Sequence, residues 1–161
     1  MSLKRVWMIL LAAAILTAAL AGCGKDAAPA KEPDIDLDDF MQDALTRYEL
    51  GSVQAVGDEM IDAFYPGLRE LNTVQRVVYM PLITGVVSEY AFLRCADAET
   101  AAKAAELLRQ RVDAQSEGGA WYPEAMENWA RAKVLTKGSY VAMIAAGEET
   151  EAIAADFEKL F

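Results

Sequence analysis

An α+β fold is predicted: a four-stranded antiparallel sheet with helices packed on one face, two hairpin-then-helix units preceded by N-terminal helices. Three observations predict it. Residues 74–83 and 86–95 are rich in β-branched and aromatic side chains and flank a turn candidate, Thr84-Gly85. Residues 97–115 place Ala101, Ala105, Leu108 and Val112 at spacings of four, three and four, which marks one face of a helix. Residues 131–160 then follow the same plan of hairpin and helix, without residue-level repetition.

The chain opens on a different kind of segment. Lys4 and Arg5 precede an uncharged apolar run, residues 6–20, and small residues Ala21 and Gly22 precede Cys23. This is the layout of a bacterial export signal. The run is shorter than the ~20 residues needed to span a bilayer, so a cleaved signal is expected over a retained membrane helix. Leu20-Ala21-Gly22-Cys23 resembles the lipobox of bacterial lipoproteins. The resemblance implies diacylglyceryl transfer to the Cys23 sulfur and cleavage between Gly22 and Cys23. Two acyl chains anchor stably where one binds only marginally. The expected organisation is a signal peptide over 1–22, a lipidated cysteine and flexible tether over 23–36, and one α+β domain over 37–161. The expected location is the extracytoplasmic face of the cell membrane.

In the domain, Asp34 or Asp36 is placed to cap a helix whose apolar stripe is Leu37, Phe40, Met41, Ala44, Leu45 and Tyr48, with Gly51 ending it. Residues 53–56 read as a short extended piece. A short helix over 58–65 is expected to turn Met60, Ile61 and Phe64 inward, and Pro66-Gly67 breaks it. Pro81 predicts the end or the edge of a strand, because it donates no ladder hydrogen bond. Asp97 suits an N-cap, and Gly118-Gly119 a helix end. Pro123 suits the first turn of a helix reaching about Trp129. Residues 132–137 and 140–146 form the second hairpin about Gly138-Ser139, and 140–146 is apolar on both faces, as in a central strand. The last helix, 148–160, faces Ile153, Phe157 and Leu160 inward.

Composition excludes several functions. The chain has 161 residues and a net charge of −10. Without 1–22, 13 basic face 25 acidic side chains, a balance of −12. Such a surface repels nucleic acid, so no nucleic-acid partner is expected. The two cysteines make no disulfide framework if Cys23 is lipidated, and Cys95 reads as a small buried residue. No histidine occurs, which removes Ser-His-Asp and Cys-His catalysis and the His-Glu-x-x-His zinc motif. No metal and no cofactor is expected.

Asp34, Asp36 and Asp38 read D-x-D-x-D, but a calcium loop needs Gly at its sixth position and Glu at its twelfth, where Asp39 and Leu45 stand. Acids that favour a helix start are the simpler reading. Glu89, Glu124 and Glu127 are the visible carboxylates for a hydrolase of the glycosidase type. Trp121, Tyr122 and Trp129, beside the double glycine, are the candidate ligand or partner surface, although large aromatics also anchor cores. Arg76 and Arg94 are candidates to pair with an anionic ligand or with Glu89.

Val78-Tyr79-Met80-Pro81, Gly118-Gly119-Ala120-Trp121-Tyr122-Pro123-Glu124 and Lys137-Gly138-Ser139-Tyr140-Val141 together give the chain from Val77 onward a likeness to a known family. It resembles the small bacterial lipoproteins, mainly from Firmicutes, that carry the domain of unknown function numbered 4358. The resemblance implies an extracytoplasmic lipoprotein and supplies no activity and no catalytic residues. The expectation is a membrane-anchored, non-catalytic domain that binds an extracytoplasmic protein or small ligand. The alternatives are an envelope hydrolase with paired carboxylates and a purely structural lipoprotein.

Overall fold

The computed structural model describes residues 32–51, 53–83 and 85–161. The signal segment, Cys23 and most of the tether lie outside them, as does Thr84. Among the described residues no helix is long and apolar enough to cross a membrane.

The chain forms α1 (Leu37–Arg47), β1 (Val53–Ala55), α2 (Asp58–Phe64), a 3-10 turn (Leu68–Glu70), β2 (Thr73–Pro81) and β3 (Glu89–Cys95). Next come α3 (Ala98–Ala114), a π-turn (Gln115–Gly119), α4 (Pro123–Ala130), β4 (Lys133–Lys137), β5 (Tyr140–Ala145), a 3-10 turn (Gly147–Glu149) and α5 (Thr150–Glu158). The sheet is antiparallel throughout, in the order β1-β2-β3-β5-β4. The α+β class and the antiparallel sheet are as the sequence predicts.

The strand count is five rather than four. Residues 53–55 pair with Tyr79, Met80 and Pro81, so the short extended piece is an edge strand. Proline ends β2 there, where no further ladder donor is needed. The helices lie on both faces rather than one. On one face α2, α3 and α4 cover Val78, Ala91, Leu93, Val141 and Met143. On the other α1 and α5 cover Val77, Tyr90, Phe92, Ala142 and Ile144. The reason is visible in β5 and β3: six of six residues in the first and six of seven in the second are buried, so each face needs a cover.

The first hairpin differs as well. Strands β2 and β3 stop at Pro81 and start at Glu89, leaving a seven-residue loop in place of a tight turn at Thr84-Gly85. Within β2 the register shifts between Thr73 and Gln75, a bulge that turns Val74 out to solvent. In α2 the inward residues are Ile61 and the capping Tyr65, while Met60 and Phe64 are exposed. Helix caps follow the sequence. The Asp36 carboxylate accepts the amides of Asp38 and Asp39, and Asp97 accepts that of Thr100.

Strand directions define two poles. The 82–88 loop, the C-terminal end of α3 and the start of α5 share one pole, since Glu89 pairs with Ala145. The start of α1, the β4–β5 turn and the end of α5 share the other, since Arg94 pairs with Tyr140 and Lys137 with Glu158. Along β3 the poles are about 20 Å apart at ~3.3 Å per residue.

Candidate functional site

The loop pole carries most of the large exposed apolar side chains among the described residues. Trp121 is 93 % and Tyr122 62 % exposed. Local geometry puts them there. The π-turn after α3 carries Gly118 at φ +128°, a conformation open to glycine, and Pro123 starts α4 two residues after Trp121. The segment between is thereby held short and turned outward. Irregular π-turns recur at functional sites.

The 82–88 loop stands beside it. Leu82, Ile83 and Val86 are each more than half exposed. A β-carbon built on Gly85 would sit 3.7 Å from the Tyr122 ring, so the loop lies beside Tyr122. Below the loop a half-open cleft of about 290 Å³ is lined by Pro81, Ile83, Val86 and Tyr90, with Glu49 and Glu149 supplying its charge. The Tyr90 hydroxyl shares a 3.0 Å hydrogen bond with Ser88. Burial pushes the Tyr90 phenol above its ordinary value, the Ser88 bond opposes this and Glu149 adds to it, so the cleft presents a neutral phenol.

Trp129 does not join this surface. It is 4 % exposed and packs in the core one helical turn from Ala125, because positions four apart share the buried face of α4. Its ring lies 5.3 Å from the Arg111 guanidinium carbon. Glu124 and Glu127 are on the exposed face of the same helix.

Glu89 is 2 % exposed, and its carboxylate is fully engaged. Arg111 donates to it through Nε at 2.9 Å and Nη2 at 3.0 Å, and the Tyr65 hydroxyl donates to Oε1. Burial first, then the Glu89 charge, holds the Tyr65 phenol well above its usual range. For Arg111 burial works against the charge, but the bonds and charge of Glu89 outweigh it and its affinity for the proton is raised. The guanidinium also stacks within 6 Å of Phe64, Tyr65 and Trp129.

Arg76 and Arg94 are elsewhere, bonded to Asp58 and Asp34 in place of Glu89. Of the D-x-D-x-D residues, Asp34 pairs with Arg94, Asp36 caps α1 and Asp38 is exposed. Cys95 is buried and free, and burial, followed by Asp97, pushes its thiol up to about 11.

Sequence reasoning missed Tyr65 and Arg111. The signal for Arg111 was its place three residues after Leu108 on the apolar stripe of α3, where a charged side chain needs a buried partner. It also missed Leu82, Ile83 and Val86, whose β-type composition reads as strand.

Residues 46–146 match a family described as a domain of unknown function, DUF4358. No curated protein and no solved structure matches the chain. The match runs from the last turn of α1 to just past β5 and takes in the aromatic pair, the 82–88 loop and the Glu89–Arg111 pair. It begins before Val77 and leaves out α5 and residues 32–45. The match covers more than half of the chain, which therefore belongs to the DUF4358 family, a domain of unknown function.

Proposed function

We propose that the protein is a lipoprotein, anchored through diacylated Cys23 to the extracytoplasmic face of the cell membrane, whose domain is a non-catalytic interaction module. The contact surface is the loop pole. The observation that carries this is the outward Trp121 beside Tyr122, Leu82, Ile83 and Val86. A tryptophan exposed over 93 % of its surface has no folding role to offset its cost in water. Contiguous exposed apolar surface marks interaction sites, and aromatic residues dominate binding energy where they are buried by a partner.

The carboxylate hydrolase draws no comparable support. Glu89 is enclosed and bonded to an arginine, and Glu124 and Glu127 stand on an open helix face. A purely structural lipoprotein would call for a surface without cleft or apolar patch, and the loop pole has both.

The test uses the full chain in its native membranes. A photocrosslinking amino acid at Ile83 or Val86, with Trp121 left in place, is expected to capture a discrete extracytoplasmic partner. The same group at Val74, equally exposed at the other pole, is expected not to. Equal capture at all three, or none, would remove the assignment. Mass measurement beside a Cys23→Ala variant tests the anchor: cleavage before Cys23 with added acyl chains is expected only in the parent.

A further inference from the structure

The Lys137-Gly138-Ser139-Tyr140 motif lies far from the loop pole, and the interaction surface makes no use of it. Its turn holds a carboxylate. The Ser139 amide donates to Glu32 Oε1 at 2.9 Å, and the Ser139 hydroxyl donates to Glu32 Oε2. Gly138, at φ +56°, leaves the space: a β-carbon there would come within 1.8 Å of Glu32 Oε1. The two-residue turn between paired Lys137 and Tyr140 favours glycine at its first position.

Tyr140, fully buried, extends the grip. Its hydroxyl donates to the Pro33 carbonyl at 2.8 Å and accepts the Ile35 amide at 3.2 Å. Arg94 bonds Asp34 and lies over the Tyr140 ring. Residues 32–36 are therefore strapped to the domain, where the sequence reading extended a free tether to residue 36. Hydroxyl, backbone amide and glycine space together form a carboxylate site, and the chain fills it with its own residue.

We propose that the Gly138–Ser139 turn is a carboxylate-binding latch for Glu32, and that it sets which pole of the domain faces the membrane. The latch stands on the contacts above. Its consequence for orientation rests on the lipid anchor proposed for Cys23. Glu32 is nine residue steps from Cys23, at most about 30 Å of fully extended chain. The chain leaves the domain at the turn pole, and the aromatic pole is about 20 Å further on. Turning the aromatic pole to the bilayer would consume most of that reach. The latched domain therefore stands with its turn toward the membrane and Trp121, Tyr122 and the 82–88 loop directed away, toward a protein partner and not toward lipid. Releasing Glu32 removes the outermost hold; as the Pro33, Asp34 and Ile35 contacts then peel from Tyr140 and Arg94, the attachment point retreats toward Asp36, the leash lengthens by up to four residues and this preference relaxes.

The experiment uses the full lipidated chain in phosphatidylethanolamine–phosphatidylglycerol vesicles containing an acceptor dye on the lipid headgroup. Donor dyes are placed singly at Glu158→Cys on the turn pole and at Glu148→Cys on the loop pole. Transfer is expected to be higher from position 158, with the gap narrowing in Glu32→Ala. Equal transfer, or more from position 148, overturns the orientation. Hydrogen exchange in the same samples reads the latch directly. The Ser139 amide is expected to exchange roughly tenfold faster in Glu32→Ala, as loss of a charge-assisted bond predicts. An unchanged rate overturns the latch. Ser139→Ala, which removes only the hydroxyl, is expected to give a smaller acceleration, and an equal or larger one counts against the amide as the main donor. A chain that does not bind vesicles at all refutes the anchor, and the exchange rate still decides the latch.

Discussion

Replacing Arg111 with methionine strands the Glu89 carboxylate. The methionine keeps the apolar stem against Phe64 and Trp129 but removes both guanidinium bonds, at 2.9 and 3.0 Å. One donor, the Tyr65 hydroxyl, is left for a group that is 2 % exposed. Removing one member of a buried ion pair costs about 3–5 kcal/mol, most of it the penalty of an uncompensated charge. The compact unit, Glu32–Phe161, has 130 residues. Such a unit has an unfolding entropy near 0.27 kcal/mol/K, so the loss lowers Tm by roughly 10–20 °C. Differential scanning calorimetry at pH 7 measures it. Glu89→Gln in the Arg111→Met background is expected to recover part of the loss, because a neutral amide is cheaper to bury than a lone carboxylate. A loss below about 1 kcal/mol, the range of exposed pairs, would refute the reasoning and mean that water solvates Glu89.

Trp129→Ala is expected to cost about 3–5 kcal/mol in denaturant unfolding, as for a large core aromatic. Trp121→Ala is expected to stay within about 0.5 kcal/mol of the parent while abolishing partner capture. Cys95, with its thiol pushed up to about 11, is expected to resist alkylation in the folded protein and to react once denatured; modification at a free-thiol rate at pH 8 would contradict its burial. Asp156 is held at about 2, below its ordinary 3.8, by bonds from Lys159 and Tyr48, with a further bond from Arg47. A depressed carboxylate stabilises the fold above its unfolded value, and that share is lost as pH falls through about 2. Between pH 4 and 2 the parent's Tm is therefore expected to fall more steeply than that of Asp156→Asn, and parallel curves would contradict it.

Much of the architecture was legible because it depends on local periodicity. The caps at Asp36 and Asp97, the helix over Ala98–Ala114, the Pro123 start and both hairpin strands nearest the C-terminus are all written in neighbouring residues. The aromatic pair was legible in part. Trp121 and Trp129 look alike in composition; Trp129 lies on the buried face of α4, whereas Trp121 lies in the turned-out segment before that helix.

By itself the sequence determined the α+β class, the antiparallel pairing, the caps and the family, because these follow from spacing, turn chemistry and short motifs. The tertiary structure alone decided what depends on partners distant in the chain. It placed helices on both sheet faces, joined Glu89 to Arg111 across 22 positions, and laid Glu32 on Ser139 across 107. A carboxylate's partner is chosen by three-dimensional proximity and burial, which the order of residues along the chain does not state.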